Sequence, residues 1–412
     1  MPSLVNFSWS RSFSALKHRN FHLFFWGQLI SVVGIWMQIT AQQWLVYRIT
    51  GSQTSLGMIT FIGFLPVLLL SLFMGVITDQ FPRRKILIFT QTWFMVLAFV
   101  LALLTWLHLI EYWHILVLSF LTGIANALDM PARQSFVVEM VDDQKDDVLN
   151  AIGLNSALFN IARIVGPAIG GAVVGMLGES PAFTLNGISY LAVIAALMMM
   201  RFSAPPKMAS RGHSLDKMKD GFRYIAAEKT IFGLVAVVAG ISFIGFGALT
   251  LVPVFAKDIL QIGAEGFGHL LSAQGVGALF GAAILIFFGD QLHKGKLLIF
   301  SRFLLGPGII ALSLSRTPWV SMIVMGLLGY SFITQLTMTN TLIQTIVPDE
   351  LRGRILSTYT WAIGGFYPLG SLLMGYLGDQ LSAPSAALIA GTGTLILVII
   401  SLFAFPNVKN LR

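Results

Sequence analysis

Three polar residues on one face of an apolar stretch carry the clearest chemistry in this chain. In "GLNSALFNIARIVGPAIGG" (153–171), Ser156, Asn160 and Arg163 follow one another at spacings of four and three, so a helix brings them to one side. Counted from position 149 at about 1.5 Å per residue, Arg163 lies roughly 21 Å along the segment. A cation at such depth in a bilayer costs about 2.5–3.5 kcal/mol even on a lenient insertion scale, so it must face protein or water. Two readings stand side by side. The guanidinium binds an anionic or oxygen-rich ligand in a wet cavity, or it bonds to carbonyls freed around Pro167 and to polar groups on neighbouring helices.

Three other stretches repeat the pattern: Gln28, Ser31, Gln38 and Gln42; Ser119, Thr122, Asn126, Asp129 and Arg133; Tyr330, Thr334, Thr337, Thr341 and Gln344. One such stripe ties helix to helix as readily as it lines water, whereas three together favour a central wet pathway. Covalent chemistry has little to work with. There is no cysteine, which excludes disulfides, thiolate metal sites and Cys nucleophiles. The segment "GDQLHKGKLL" lacks the spacing and the hydroxyl of a phosphate loop. The titratable residues concentrate in loops without a metal-ligand or nucleophile constellation, so no enzyme activity, cofactor or metal is expected. The formal net charge of +8 also falls in short loops, which argues against a nucleic-acid partner.

The elements that position these stripes must cross a membrane. Of 412 residues, 56% are hydrophobic and 11% charged, against about a quarter charged in soluble proteins. Twelve apolar spans are predicted, near 20–47, 53–78, 86–108, 112–131, 149–177, 181–201, 230–256, 265–288, 297–315, 318–340, 355–378 and 384–405. The first is too long for a signal-peptide core and is read as a retained helix. With the N-terminus inside, 22 of the 26 Lys and Arg fall on the cytoplasmic side, a strong positive-inside signal. Both termini are then cytoplasmic.

The hydrophilic stretch 201–229 separates an N-terminal six-helix half (1–200) from a C-terminal one (230–412). Its Leu215, Met218, Phe222 and Ile225 recur at helical spacing among cations, as in an amphipathic helix on an anionic leaflet. Faint echoes link the halves: "TDQFPRRK" with "GDQLHKGK", and "GMLGES" with "GYLGDQ". Duplication of a six-helix unit is a transporter architecture.

Two motifs carry a resemblance. "GVITDQFPRRK" (75–85) resembles the loop 2–3 signature of the major facilitator superfamily through Gly75, Asp79, Arg83 and Arg84, with Pro82 in place of its second glycine. Read chemically, Gly75 permits close helix approach, and Asp79 and Arg83 are spaced to pair at a helix end as a conformational latch or a static anchor. The 153–171 stretch resembles the antiporter signature of helix 5 in that superfamily through Gly153, Gly166, Pro167, Gly170 and Gly171, with Ala162 at its second glycine. Spacing alone shows a tight, bent helix. "ALDMPARQSFVVEMV" and "NIARIVGPAIGG" are similar to the subfamily that includes the enterobactin exporter and macrolide efflux pumps.

The resemblance implies an all-α membrane protein of two pseudo-symmetric six-helix bundles in a bacterial inner membrane, working as a monomer by alternating access and driven by a proton gradient. It implies a cavity lined by the first, fourth, seventh and tenth helices, to which Gln38, Gln42, Asn126, Asn160, Arg163, Tyr330, Thr334 and Thr337 would contribute. It also brings Asp129 into the latch beside Arg83; a proton-carrying role for Asp129 is the other reading. No acid lies deep in the first span, which weighs against cationic drugs. The expected activity is export of a small polar or anionic metabolite such as a siderophore. A multidrug or macrolide pump, a lysophospholipid flippase and a non-transporting receptor remain as alternatives.

Overall fold

Hydrocarbon offers no partner to a backbone N–H or C=O, so a chain this apolar satisfies those groups within helices. The computed structural model describes residues 13–141, 145–201, 223–288 and 291–411. Its long elements are α1 (Arg19–Thr50), α2 (Gln53–Gln80), α3 (Arg83–Trp106), α4 (Tyr112–Glu139), α5 (Lys145–Leu177) and α6 (Glu179–Met199). They continue with α7 (Lys229–Ile259), α8 (Gly263–Phe288), α9 (Lys294–Leu314), α10 (Pro318–Ile346), α11 (Asp349–Gln380) and α12 (Ala383–Ala404). Eleven are long and apolar enough to cross a membrane. The other, α11, opens on "DELRGR" and is the least apolar, yet it coincides with the predicted span 355–378. Most of the linker helix expected within 201–229 lies outside the described residues, as do the side chain of Asp79 and all of Asp290.

Local signals set the breaks. Gly51, at φ 62°, takes the left-handed conformation that ends α1 and returns its N–H to the Tyr47 carbonyl. Ser52 then caps α2 by accepting from the Ser55 N–H. At the other end of α2, Phe81 is extended and Pro82 opens α3. Asp79 and Arg83 therefore stand on different helices and do not share the single helix end that their spacing suggests. The proline that replaces the signature glycine cannot continue the α2 ladder. Along α7, π-helical turns at Ser242–Phe246 and Phe255–Ile259 flank a tighter stretch and Pro253, where the sequence pattern predicts one plain helix.

The halves repeat one packing scheme. In the first, α1 packs on α5 and α6, α2 on α4, and α3 on α4 and α6. In the second, α7 packs on α11 and α12, α8 on α10, and α9 on α10 and α12, helix for helix the same pattern. Between lipid-solvated helices, van der Waals fit replaces the hydrophobic effect, so small residues sit at the crossings. A Cβ at Gly123 would collide with the Gly63 carbonyl of α2, and one at Gly277 with the Gly326 carbonyl of α10. The outer surface is apolar, with Trp106, Trp113 and Trp319 exposed near the helix ends on one face, as in an interfacial aromatic belt. Below, the face that carries most Lys and Arg is the basic face, and the other is the far face.

Replacing Gly277 by Val should cost about 1–3 kcal/mol through overpacking. Gly75→Val, whose new Cβ would meet nothing within 4 Å, should cost little. Thermal unfolding of the purified variants checks the contrast.

Candidate functional site

Two helix pairs make the most extensive contacts between the halves, α2 with α11 and α5 with α8. On the far face they touch backbone to backbone. A Cβ on Gly171 of α5 would lie 2.7 Å from the Ala264 carbonyl and 2.9 Å from Gly268 of α8. Asp379, at the end of α11, reaches across to the start of α2, accepting from Ser52 Oγ (2.6 Å), Gln53 N (2.6 Å) and Thr54 N (2.9 Å). A carboxylate placed so satisfies orphan N–H groups and faces the positive end of the helix dipole. Tyr47 of α1 donates to Asp258 of α7, and Trp44 stacks on Phe267 of α8 with centroids 6.2 Å apart. The far face is shut.

Toward the basic face the same helices part. Cβ atoms at Gly75, Gly153, Gly353 and Gly364 would meet nothing within 4 Å. On the way there along α2 and α11, Phe64 stands against Tyr367, 5.7 Å between centroids, and Leu68 against Gly365. Gly75, expected to permit close helix approach, has no close neighbour in this conformation. The protein thus holds a cleft that narrows toward the far face.

Arg163 stands where α1, α5 and α8 border that cleft. Gly166 and Gly170 face α1, with Val33 O 2.8 Å and Met37 Cα 3.0 Å from the respective Cβ positions, while Ile164 and Gly171 face α8. At 100° per residue, Ser156, Asn160 and Arg163 fall between these two directions. The Arg163 guanidinium lies 5.3 Å from the centroid of the Trp36 ring. Its Nε is buried without a hydrogen-bond partner, and among the described residues no acid comes within ion-pair distance. Pro167 lacks the N–H that would bond the Arg163 carbonyl, and Ser272 of α8 donates to the next one, the Ile164 carbonyl, at 2.6 Å. No hydrogen bond joins Arg163 to that turn.

The other predicted residues distribute unevenly. Gln42 donates to Ser119 at 2.8 Å, joining α1 to α4, whereas Gln38 accepts from Asn186 of α6 at 2.6 Å and serves helix packing. Asn160 donates to the Ser156 carbonyl, Asn126 and Tyr330 are half-buried, Thr337 is exposed, and Thr334 is buried against Gly281 of α8. Ala162 is fully buried at the α1–α5 contact, in one cluster with Val32.

At the basic face the expected latch is rearranged. Arg83 pairs with Glu139, not with Asp129. Asp129, 2% exposed, is paired instead with Arg133 one turn along α4, and it accepts from Thr90 (2.7 Å) and Gln91 (2.9 Å) of α3. The i, i+4 neighbour on the same helix claims the carboxylate first. Arg84 donates to the Leu197 and Met198 carbonyls, capping the last turn of α6. Arg302, grouped from sequence with the basic-face cations, is 3% exposed inside α9, with Nη2 3.3 Å from Leu234 O and Thr339 Oγ1. It lies eight residues past the helix start, about 12 Å along the axis.

Sequence reasoning did not find Trp36, Tyr47, Asp258, Glu139 or the bond between Asp379 and α2. Only the "GYLGDQ" echo held a signal, since it marked Asp379 as part of a repeated helix end.

Duplicated six-helix bundles around a one-sided cleft define a secondary transporter of the major facilitator fold. The family model described as "Transmembrane secretion effector" matches residues 10–411, and the chain belongs to that family. It is 25% identical to the staphyloferrin A transporter of Staphylococcus aureus, over 94% of this chain and 96% of that protein. It is 23% identical to macrolide efflux protein A of Streptococcus pyogenes (96% and 98% covered) and 23% to the enterobactin exporter EntS of Escherichia coli (98% and 96%). Among solved structures, a bacterial homologue of the lysosomal transporter Spinster, inward-facing, superposes with a TM-score of 0.73 at 14% identity, covering 98% and 97% of the two chains. The chain is a multi-pass membrane transporter and not an enzyme.

Asp379→Ala would remove a charged acceptor from three donors, each such bond contributing about 1.5–3 kcal/mol. A thiol placed at the buried Ala264, in this cysteine-free chain, should then react with a reagent on the far face at least about ten-fold faster. Labelling rates in vesicles, with and without Asp379→Ala, check this.

Proposed function

We propose that this transporter exports a small polar or anionic metabolite, such as a siderophore, from the cytoplasm of a bacterial cell across the inner membrane. The observation that carries the reading is Arg163: a mid-membrane cation at the cleft with a buried, unpartnered Nε and, among the described residues, no acid within ion-pair distance. A buried charge is stable only when paired, and a substrate anion would complete it. The positive-inside bias makes the basic face cytoplasmic, with both termini there. The cleft then faces inward, poised to load from the cytoplasm. Relatives that carry siderophores support the substrate class.

Proton coupling rests on the helix 5 resemblance, in which Gly153, Ala162, Gly166, Pro167, Gly170 and Gly171 match an antiporter signature. Asp129, with donors from three residues, fits an anchored acid better than a proton carrier. In the latch reading, Gly75, Asp79, Arg83, Arg84 and Asp129 hold the basic face shut when the far face opens. The single chain builds the entire cleft, which supports a monomer in the bilayer as the working unit, with substrate and proton as its only small partners. A macrolide efflux relative favours the second reading, a drug pump.

Deletion of the gene, followed by mass-spectrometric profiling of cells and medium with and without iron, separates these readings. An iron-chelating metabolite should accumulate inside and fall outside, and wild type but not Arg163→Ala should restore release. Release restored by Arg163→Ala at normal protein level would make the arginine scaffolding. Unchanged chelator levels with altered macrolide susceptibility would favour the drug pump.

A further inference from the structure

The helix 5 glycines do more than seal the halves together. Gly166 lies against α1 so closely that a Cβ there would collide with the Cβ of Trp36. That approach sets the Trp36 ring beside the guanidinium of Arg163, one helical turn earlier on α5, at 5.3 Å. Two alternatives for the arginine are closed or missing. The Ile164 carbonyl near Pro167 already accepts from Ser272. Among the described residues no carboxylate is within ion-pair distance.

A guanidinium stacked on an aromatic face keeps its in-plane N–H fork available, and that fork matches the two oxygens of a carboxylate. Resting on the export reading above, we propose that Trp36 is the specificity-determining partner of Arg163, and that together they form a platform for a substrate carboxylate. The ring holds the guanidinium away from backbone acceptors and presents its edge to the cleft. Trp36 is a positioning residue that acts through Arg163. The platform selects carboxylate-bearing substrates over neutral ones of the same size, since only an anion neutralises the buried cation.

Calorimetry on the full-length protein in nanodiscs tests this, with citrate as the polycarboxylate probe and its neutral trimethyl ester as the comparison. Wild type should bind citrate and ignore the ester. Trp36→Leu should weaken citrate binding about ten-fold, and Trp36→Phe, which keeps an aromatic face, should lose less. Arg163→Lys should lose at least about ten-fold despite keeping the charge, because an ammonium has no fork. The deciding measurement is the double variant. Trp36→Leu added to Arg163→Gln should weaken citrate no further, which a general packing defect would not produce. Equal binding of ester and citrate, no citrate binding by wild type, or additive losses in the double variant would each overturn the platform. Export in the deletion strain is read separately. Normal export with a failed platform sinks this inference alone, and citrate binding without export sinks the export reading alone.

Discussion

Where Gly171 of α5 meets Gly268 of α8, two backbones from opposite halves approach to a distance that no side chain would permit. Lipid competes equally for every apolar side chain, so helices in a bilayer associate through such close fits and not through the hydrophobic effect. The close contact runs along α5 from Gly171 to Ile164, which meets Gly275 of α8. Nearer the basic face Gly153, on the same helix, faces open space. One helix therefore seals one side of the molecule and borders the cleft on the other.

The seal also has a polar component, carried by Asp379 and by the Tyr47–Asp258 bond. Unlike glycine packing, these bonds exchange readily with water, so they hold the halves in register without making the closure permanent. Strong internal ties are kept within a half instead: Asp129 with Arg133, Thr90 and Gln91, and Arg48 with Glu179. Each half can then rock as a unit, because these ion pairs close within it and need not break when the halves part.

Chemistry enters through an exception to that rule. Nearly every cation in a span has a carboxylate or carbonyl beside it: Arg133 an acid, Arg302 the Leu234 carbonyl and a threonine hydroxyl. Arg163 has the face of Trp36 and an unpartnered Nε. Other buried side-chain atoms also lack a partner, Arg302 Nε and both ends of Gln335 among them, but Arg302 still donates through Nη2, whereas Arg163 makes neither a hydrogen bond nor an ion pair among the described residues.

Much of this was legible in the sequence. The apolar runs, the Lys and Arg bias and the duplicated helix ends determined twelve long helices and two related halves, because the bilayer imposes length and polarity locally, residue by residue. The glycines of 153–171 announced a close-packed helix for the same reason. Partnership was not legible. Arg83 chose Glu139 over Asp129, Gln38 turned to α6, and Arg302 was drawn inside α9. Each choice depends on which helices become neighbours and how they rotate about their axes, and the periodicity of a single helix carries no record of either. Only the tertiary structure could set Trp36 against Arg163 and Asp379 on the start of α2.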